Sequence, residues 1–219
     1  MMCYPCLRTC VTYIPGLYMG EERVQWSRTA RRVNLMNNDQ SFQIDDPEFR
    51  LCKLESEHLQ PLQHLCERCA DFVELVEGQE VSPGASQELF QDMPPGKSLS
   101  DKFLYGIFDR NGEMRGVLEG MRHYPDETTW WIGLLMLDPE VRGRGLGRKI
   151  VDGFSAYVRS EQGKSIMLGV VEENQTAYDF WQQQGFTLVR QTEPRPFGKK
   201  VQSVYVMQRD LPPSRTLDT

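Results

Sequence analysis

Nowhere does the 219-residue chain hold an apolar run near the roughly 18 to 20 residues that a bilayer span requires. Its N-terminal stretch also lacks the apolar centre of a signal peptide, because Arg8 and Pro15 interrupt it. No membrane partner and no secretion are therefore expected, and the chain reads as cytoplasmic. Basic residues are outnumbered, 25 Lys and Arg against 31 Asp and Glu, for a net charge of −6. A nucleic-acid partner needs a concentrated basic patch to replace phosphate counterions, so that class is disfavoured and a small cationic partner suits the charge better. Histidine is scarce at three residues. The two C-x-x-C pairs, Cys3/Cys6 and Cys66/Cys69, lie far apart, the second inside an amphipathic helical pattern, and the histidines complete no zinc spacing with them. Reduced thiols and no metal are the expectation. Internal repeats are absent.

What is present fits one α/β domain with a tail, since 39% hydrophobic and 26% charged residues are ordinary globular values. Residues 1–36 carry five arginines against two glutamates, +3 against −9 for the remainder, with no sustained period. Residues 1–48 are read as a poorly ordered extension, with Met36 as an alternative start; a transit peptide is disfavoured by the Glu21/Glu22 pair and the scarcity of serine. Residues 212–219 are read as a disordered tail. From Phe49 to Leu211 the pattern is regular. Phe49 and Leu51 alternate as a first strand, and a helix capped by Ser56 carries Leu59, Leu62, Leu65, Cys66, Cys69, Phe72 and Val73 on one stripe. Ser82-Pro83 opens a second short helix, ended by Pro94-Pro95-Gly96. Strands follow at about 102–108, 115–124 and 129–137, the first two joined by the Asp109-Arg110-Asn111-Gly112 turn. The third is apolar at nearly every position, which predicts a central strand covered on both faces.

After that strand comes Asp138-Pro139-Glu140-Val141-Arg142-Gly143-Arg144-Gly145-Leu146-Gly147, then a helix with Ile150, Phe154, Tyr157 and Val158 inward and Gly163 as its stop. A glycine-rich turn from a buried strand into a helix start gathers unpaired N–H groups and the positive end of the helix dipole, so an anion can dock there. The dinucleotide fingerprint fails because Arg148 stands where its third glycine belongs. The P-loop fails because Gln91 and Val158 stand where its first glycine would precede Gly96-Lys97-Ser98 or Gly163-Lys164-Ser165.

Two motifs remain. Arg142, Gly145 and Gly147 fit [QR]-x-x-G-x-[GA], and Asn174, Ala177, Phe180, Trp181, Gly185 and Phe186 fit N-x-x-A-x-x-[FL]-[YW]-x-x-x-G-F after a second apolar strand, Ile166 to Val171. Together they resemble the GNAT acetyltransferase superfamily over residues 49–211. The resemblance implies a mixed, mostly antiparallel sheet of six or seven strands with a splayed parallel central pair and about four flanking helices. It implies acetyl-CoA as co-substrate, its pantetheine on the backbone of Leu135, Met136 and Leu137, and its pyrophosphate on the amides of Gly143, Arg144, Gly145, Leu146, Gly147 and Arg148. Asn174 belongs to the same implied set. The side chains of Arg142 and Arg144 either reinforce the phosphates or, like Arg148 and Lys149, are solvated charge; the sequence leaves both readings open.

The implied reaction is direct attack of an amine of a small acceptor on the thioester, in a ternary complex. A homodimer is a further expectation from the family. Where many relatives place a Tyr acid, this chain has Trp181, a poor proton donor; Tyr178, one helical turn away, is the substitute considered. That departure motivates the alternative of an acyl-CoA-binding sensor without catalysis. Among Glu119, His123, Asp126, Glu127, Glu172 and Glu173, Glu119 is the first choice for a general base. Asp71, Glu74 and Glu77 could greet a cationic acceptor, and Tyr124, Trp130 and Trp131 could line its pocket, although a solvated helix face and an ordinary core explain them as well.

Overall fold

The computed structural model describes residues 42–212 and a two-residue strand β1, Cys10–Val11. The alternative start at Met36, the Cys3/Cys6 pair and the tail beyond residue 212 lie outside the described residues. The strands that follow are β2 (Phe49–Lys53), β3 (Lys102–Asp109), β4 (Met114–Met121), β5 (Thr129–Leu137), β6 (Ser165–Val171) and β7 (Thr187–Gln191). A small hairpin of β8 (Arg195–Phe197) with β9 (Lys200–Gln202) then precedes the last strand, β10 (Val204–Asp210). The main sheet runs in the order β2-β3-β4-β5-β6-β10-β7, with β1 attached to β5 off that path. Along it every adjacent pair is antiparallel except β5 and β6, which run parallel at the centre. All nine residues of β5 are buried, as a strand covered on both faces must be.

Helices cover the two faces separately. On one face α1 (Leu59–Arg68), α2 (Ala70–Glu77) and α3 (Ala85–Gln91) pack over Val117, Met121, Trp131, Leu134 and Met136. On the other α4 (Leu146–Ser160) and α5 (Gln175–Gln183) pack over Leu118, Ile132, Leu135, Ile166 and Leu168. Five helices stand among the described residues where about four were expected, because the first stripe breaks at Cys69 (φ −99°, ψ 27°) into α1 and α2. Ser56 is not the cap. Glu55 precedes a 3-10 turn over Ser56–His58, and its N–H donates to His58 Nδ1 at 3.0 Å. Pro83 lies in the turn before α3, whose first residue is Ala85. The chain reverses after α4 at Gln162 (φ 63°), not at Gly163. Gly163 is instead a close-approach position, where an added Cβ would sit 2.4 Å from Val158.

Residues 42–48, placed in the extension by the sequence reading, include a buried anchor. Phe42 lies 5.4, 5.5 and 5.9 Å from the rings of Tyr105, Phe154 and Tyr157. Phe154 also meets Phe103 at 5.0 Å and Trp130 at 5.9 Å, so it is the hub that seats α4 on the sheet. Replacing it by Ala should cost about 3–5 kcal/mol through lost transfer energy and an aromatic-sized cavity. Urea unfolding should show this as a lower midpoint at unchanged slope.

Candidate active site

The central pair is bonded only from Thr129/Ser165 to Ile132/Leu168. Beyond those residues the strands part. The cause is visible on β5, where the register against β4 shifts between Glu119/Leu134 and Gly120/Ile132 and leaves Gly133 as the extra residue. Alternation slips there, so Trp131 and Leu134, three residues apart, face the same core cluster. Such a bulge bends a strand away from its neighbour. Glycine at 133 leaves room for the carboxylate, because an added Cβ would lie 2.3 Å from Glu119 Oε2.

The mouth of the wedge is the Gly-rich turn. Gly143 (φ 75°) and Gly145 (φ 83°) hold left-handed backbone that other residues adopt only with strain. Among the described residues, the amides of Gly143, Arg144, Gly145, Leu146, Gly147 and Arg148 donate to no carbonyl; the first to do so is Lys149, to Gly145 at 3.2 Å. A row of free N–H groups at the start of a 15-residue helix is an anion cradle. Asn174 caps α5 at the opposite lip, its Oδ1 accepting from Ala177 N at 3.0 Å.

Side-chain cations behave differently from the expectation. Arg142 turns inward and is buried, donating from Nε to Leu137 O at 2.8 Å and from its two Nη atoms to Asp71. It stabilises the turn from below, and Asp71 is thereby committed to it. Lys149 is held by Asp46 at 2.8 Å and Arg148 by Asp152 at 3.6 Å, while Arg144 stands exposed on the loop. Leu137 O already accepts from Arg142 and from Cys69 Sγ at 3.4 Å. Leu135 and Met136 lie opposite Val11 and Cys10 of β1, in antiparallel register.

The candidate bases sort by position. His123, Asp126 and Glu127 sit at the closed end of the parallel pair, before Thr129, roughly 13 Å of strand from Gly133. Glu173 is taken by Lys200 at 2.7 Å, and Glu172, at the end of β6, accepts from Gln191 at 3.1 Å. Glu119 is not an exposed strand charge; it is fully buried and ion-paired with Lys102 Nζ at 2.5 Å, with no partner on Oε2 among the described residues. Burial raises its pKa and Lys102 opposes the rise. Enclosed by Lys102 and Gly133, the carboxylate braces the bulge. Trp181 is sealed between Phe180 and Phe186. Tyr178 is half-buried over Tyr205 at 5.0 Å, its hydroxyl accepting from Gln182 at 3.3 Å. Trp130, Trp131 and Tyr124 are core residues, not pocket lining.

A cavity of about 60 Å³ opens on the α1–α3 face, floored by Leu134 and Met136 of β5 and bordered by Cys66, Phe72 and Val76. Burial, with Glu67 and Glu88 nearby, pushes the Cys66 thiol up to about 12, so at neutral pH it is no nucleophile.

Sequence reasoning missed Asp138. Its Oδ1 accepts from Glu140 N at 3.0 Å, and its buried Oδ2 from Arg68 at 2.6 Å and Arg115 at 3.5 Å, tying α1, β4 and the loop together. The Asp-Pro dipeptide after an apolar strand was the available signal.

A wedge between diverging parallel strands, with a row of free amides at its mouth, defines the candidate site of this α/β fold. The chain belongs to the acetyltransferase (GNAT) family, whose model matches residues 62–186. Solved structures agree on the fold. Spermidine N-acetyltransferase from Vibrio cholerae, in complex with CoA and spermine, is 18% identical over 76% of this chain and 97% of its own, with a TM-score of 0.60. An acetyltransferase from Salmonella typhimurium that modifies the N-terminal serine of ribosomal protein L7/L12 is 19% identical over 76% and 97%, at 0.63. An acetyltransferase from Thermus thermophilus is 21% identical over 75% and 97%, at 0.61. No curated protein matches the chain.

Desolvation pushes the Asp138 carboxyl up, but the Glu140 amide, Arg68 and Arg115 outweigh it and hold its pKa below the usual value. A depressed folded pKa means stability that is present above the unfolded value near 3.9 and lost as pH falls through the folded one. Asp138→Asn should therefore cost about 1.5–3 kcal/mol at pH 7. The gap to the parent should narrow in urea titrations as pH falls below that unfolded value.

Proposed function

We propose that the protein transfers an acetyl group from acetyl-CoA to the amine of a small acceptor by direct attack in a ternary complex. The observation that carries this reading is the edge of β5 beyond Ile132, released by β6 and met by the two-residue β1, which leads to the free amides of Gly143 to Arg148. When bound, acetyl-CoA supplies an activated thioester. The cradle amides hold its pyrophosphate, and main-chain groups from Gly133 to Met136 take the pantetheine as an added strand would be taken. Alignment of thioester and amine then supplies much of the acceleration. The neutral Cys66 thiol argues against an acetyl-cysteine intermediate. With Trp181 buried, the CoA thiolate, whose pKa is near the 8.5 of a free thiol, leaves without an acid from position 181.

No described helix is long and apolar enough to cross a membrane. The proposal places the enzyme in the cytoplasm, where acetyl-CoA and a diffusible amine can meet. Calorimetry with acetyl-CoA, followed by thiol-release assays with an amine panel, tests the reading. Heat on binding together with amine-dependent release is expected; folded protein that gives no heat would overturn it, and binding without release would favour a sensor.

Gly145→Val places a β-branched side chain at φ 83° and over the cradle. Acetyl-CoA affinity should fall about tenfold or more, from strain of about 1–2 kcal/mol plus blocked approach. The pantetheine and β1 claim the same two residues of β5. A chain starting at Met36 should therefore bind acetyl-CoA more tightly than the full chain, as compared by titration calorimetry.

A further inference from the structure

The cavity beside the wedge has a composition that selects an acceptor. Its floor, Leu134 and Met136, belongs to the strand that β6 leaves at the wedge, so a molecule resting there lies next to the proposed thioester position. Phe72 and Val76 form an apolar wall, and the polar side chains at the lining are Glu77, Ser82 and Glu88. Among the described residues, no Lys, Arg or His lines it. The two carboxylates also keep their charge unbalanced, because their hydrogen-bond donors are neutral. Glu77 accepts from the Gln79 amide at 2.6 Å, and Glu88 from the Ser82 hydroxyl at 2.9 Å.

From this we infer that the acceptor is a hydrophobic amine, with an alkyl or aryl body seated partly in the cavity and no anionic group. The inference rests on the transfer reading above. The ammonium is drawn in by Glu77 and Glu88 and sheds its proton before attack. The body displaces water from Phe72, Val76 and Leu134. A carboxylate or phosphate on the acceptor would meet two like charges with no cation to offset them. Spermidine carries three ammoniums against two carboxylates, so one would be buried against apolar side chains without a partner, and a peptide amine would strand its backbone polar groups there. In the transfer step the amine nitrogen bonds to the acetyl carbon and the carbon–sulfur bond breaks. The amine's proton passes to water and the thiolate leaves as CoA.

The test uses the full chain with saturating acetyl-CoA and four probes: 2-phenylethylamine, isoamylamine, spermidine and a Ser-initiated peptide. The two apolar monoamines should exceed the others in kcat/KM by about tenfold or more, the usual penalty for mismatch in an apolar pocket. Glu77→Gln with Glu88→Gln should raise KM for isoamylamine about fivefold without changing acetyl-CoA affinity or the melting temperature. Val76→Phe, which narrows the cavity, should depress turnover of 2-phenylethylamine more than that of isoamylamine. Preference for spermidine or the peptide, or an unchanged KM in the double variant, overturns the acceptor assignment and leaves the transfer reading standing. Absence of acetyl-CoA binding removes both.

Discussion

Main-chain hydrogen bonds between β5 and β6 stop at Ile132 and Leu168, and the buried edge of β5 beyond that point must find partners elsewhere. The divergence is imposed from the β4 side. Gly133 is squeezed out of register, and the Lys102–Glu119 pair packs against it where a side chain would otherwise stand. A buried ion pair is weak evidence for stability, because desolvation offsets the attraction. Its place here is geometric: it holds a bulge open at the one point where the sheet must split.

The loop at the end of β5 depends on a second set of buried charges. Asp138 fixes the strand end to Arg68 and Arg115, and Arg142 fixes the start of the glycine turn to Asp71 and Leu137 O. Each carboxylate is answered by guanidinium, whose planar fork suits fixed geometry. The result is a turn whose anchoring side chains point into the protein and whose amides point out. An overall charge of −6 therefore does not speak against the proposed anion site: the attraction there would come from backbone dipoles, which net charge does not report.

The central strand, the glycine turn and the cap of α5 were legible in the sequence because they are written in local patterns. Nine residues from Thr129, all but the first apolar, glycines at 143, 145 and 147, and Asn174 followed by Ala177 each have a short-range cause. What escaped was decided by long-range pairing. Arg142 next to Gly143 looks like a phosphate ligand until Asp71, 71 residues away in sequence, is brought beneath it. Glu119 looks like an accessible base until Lys102 and Gly133 enclose it. The split of the first helix at Cys69 was equally invisible, since the apolar stripe continues across the break.

Strand β1 shows what an unpaired edge does when an extended segment is within reach. Leu135 and Met136 are met by Val11 and Cys10 in antiparallel register, as a sheet edge is satisfied by whatever extended chain lies beside it. The pairing is made through the main chain, so it demands little of the sequence that supplies it. A pantetheine arm, carrying two amides in an extended chain, meets the same geometric demand. Two occupants of one row of hydrogen-bonding groups exclude each other, whatever their side chains. On the proposed binding mode chain and carrier compete: each unit of stability that β1 gains on β5 must be surrendered before the carrier's arm can lie there.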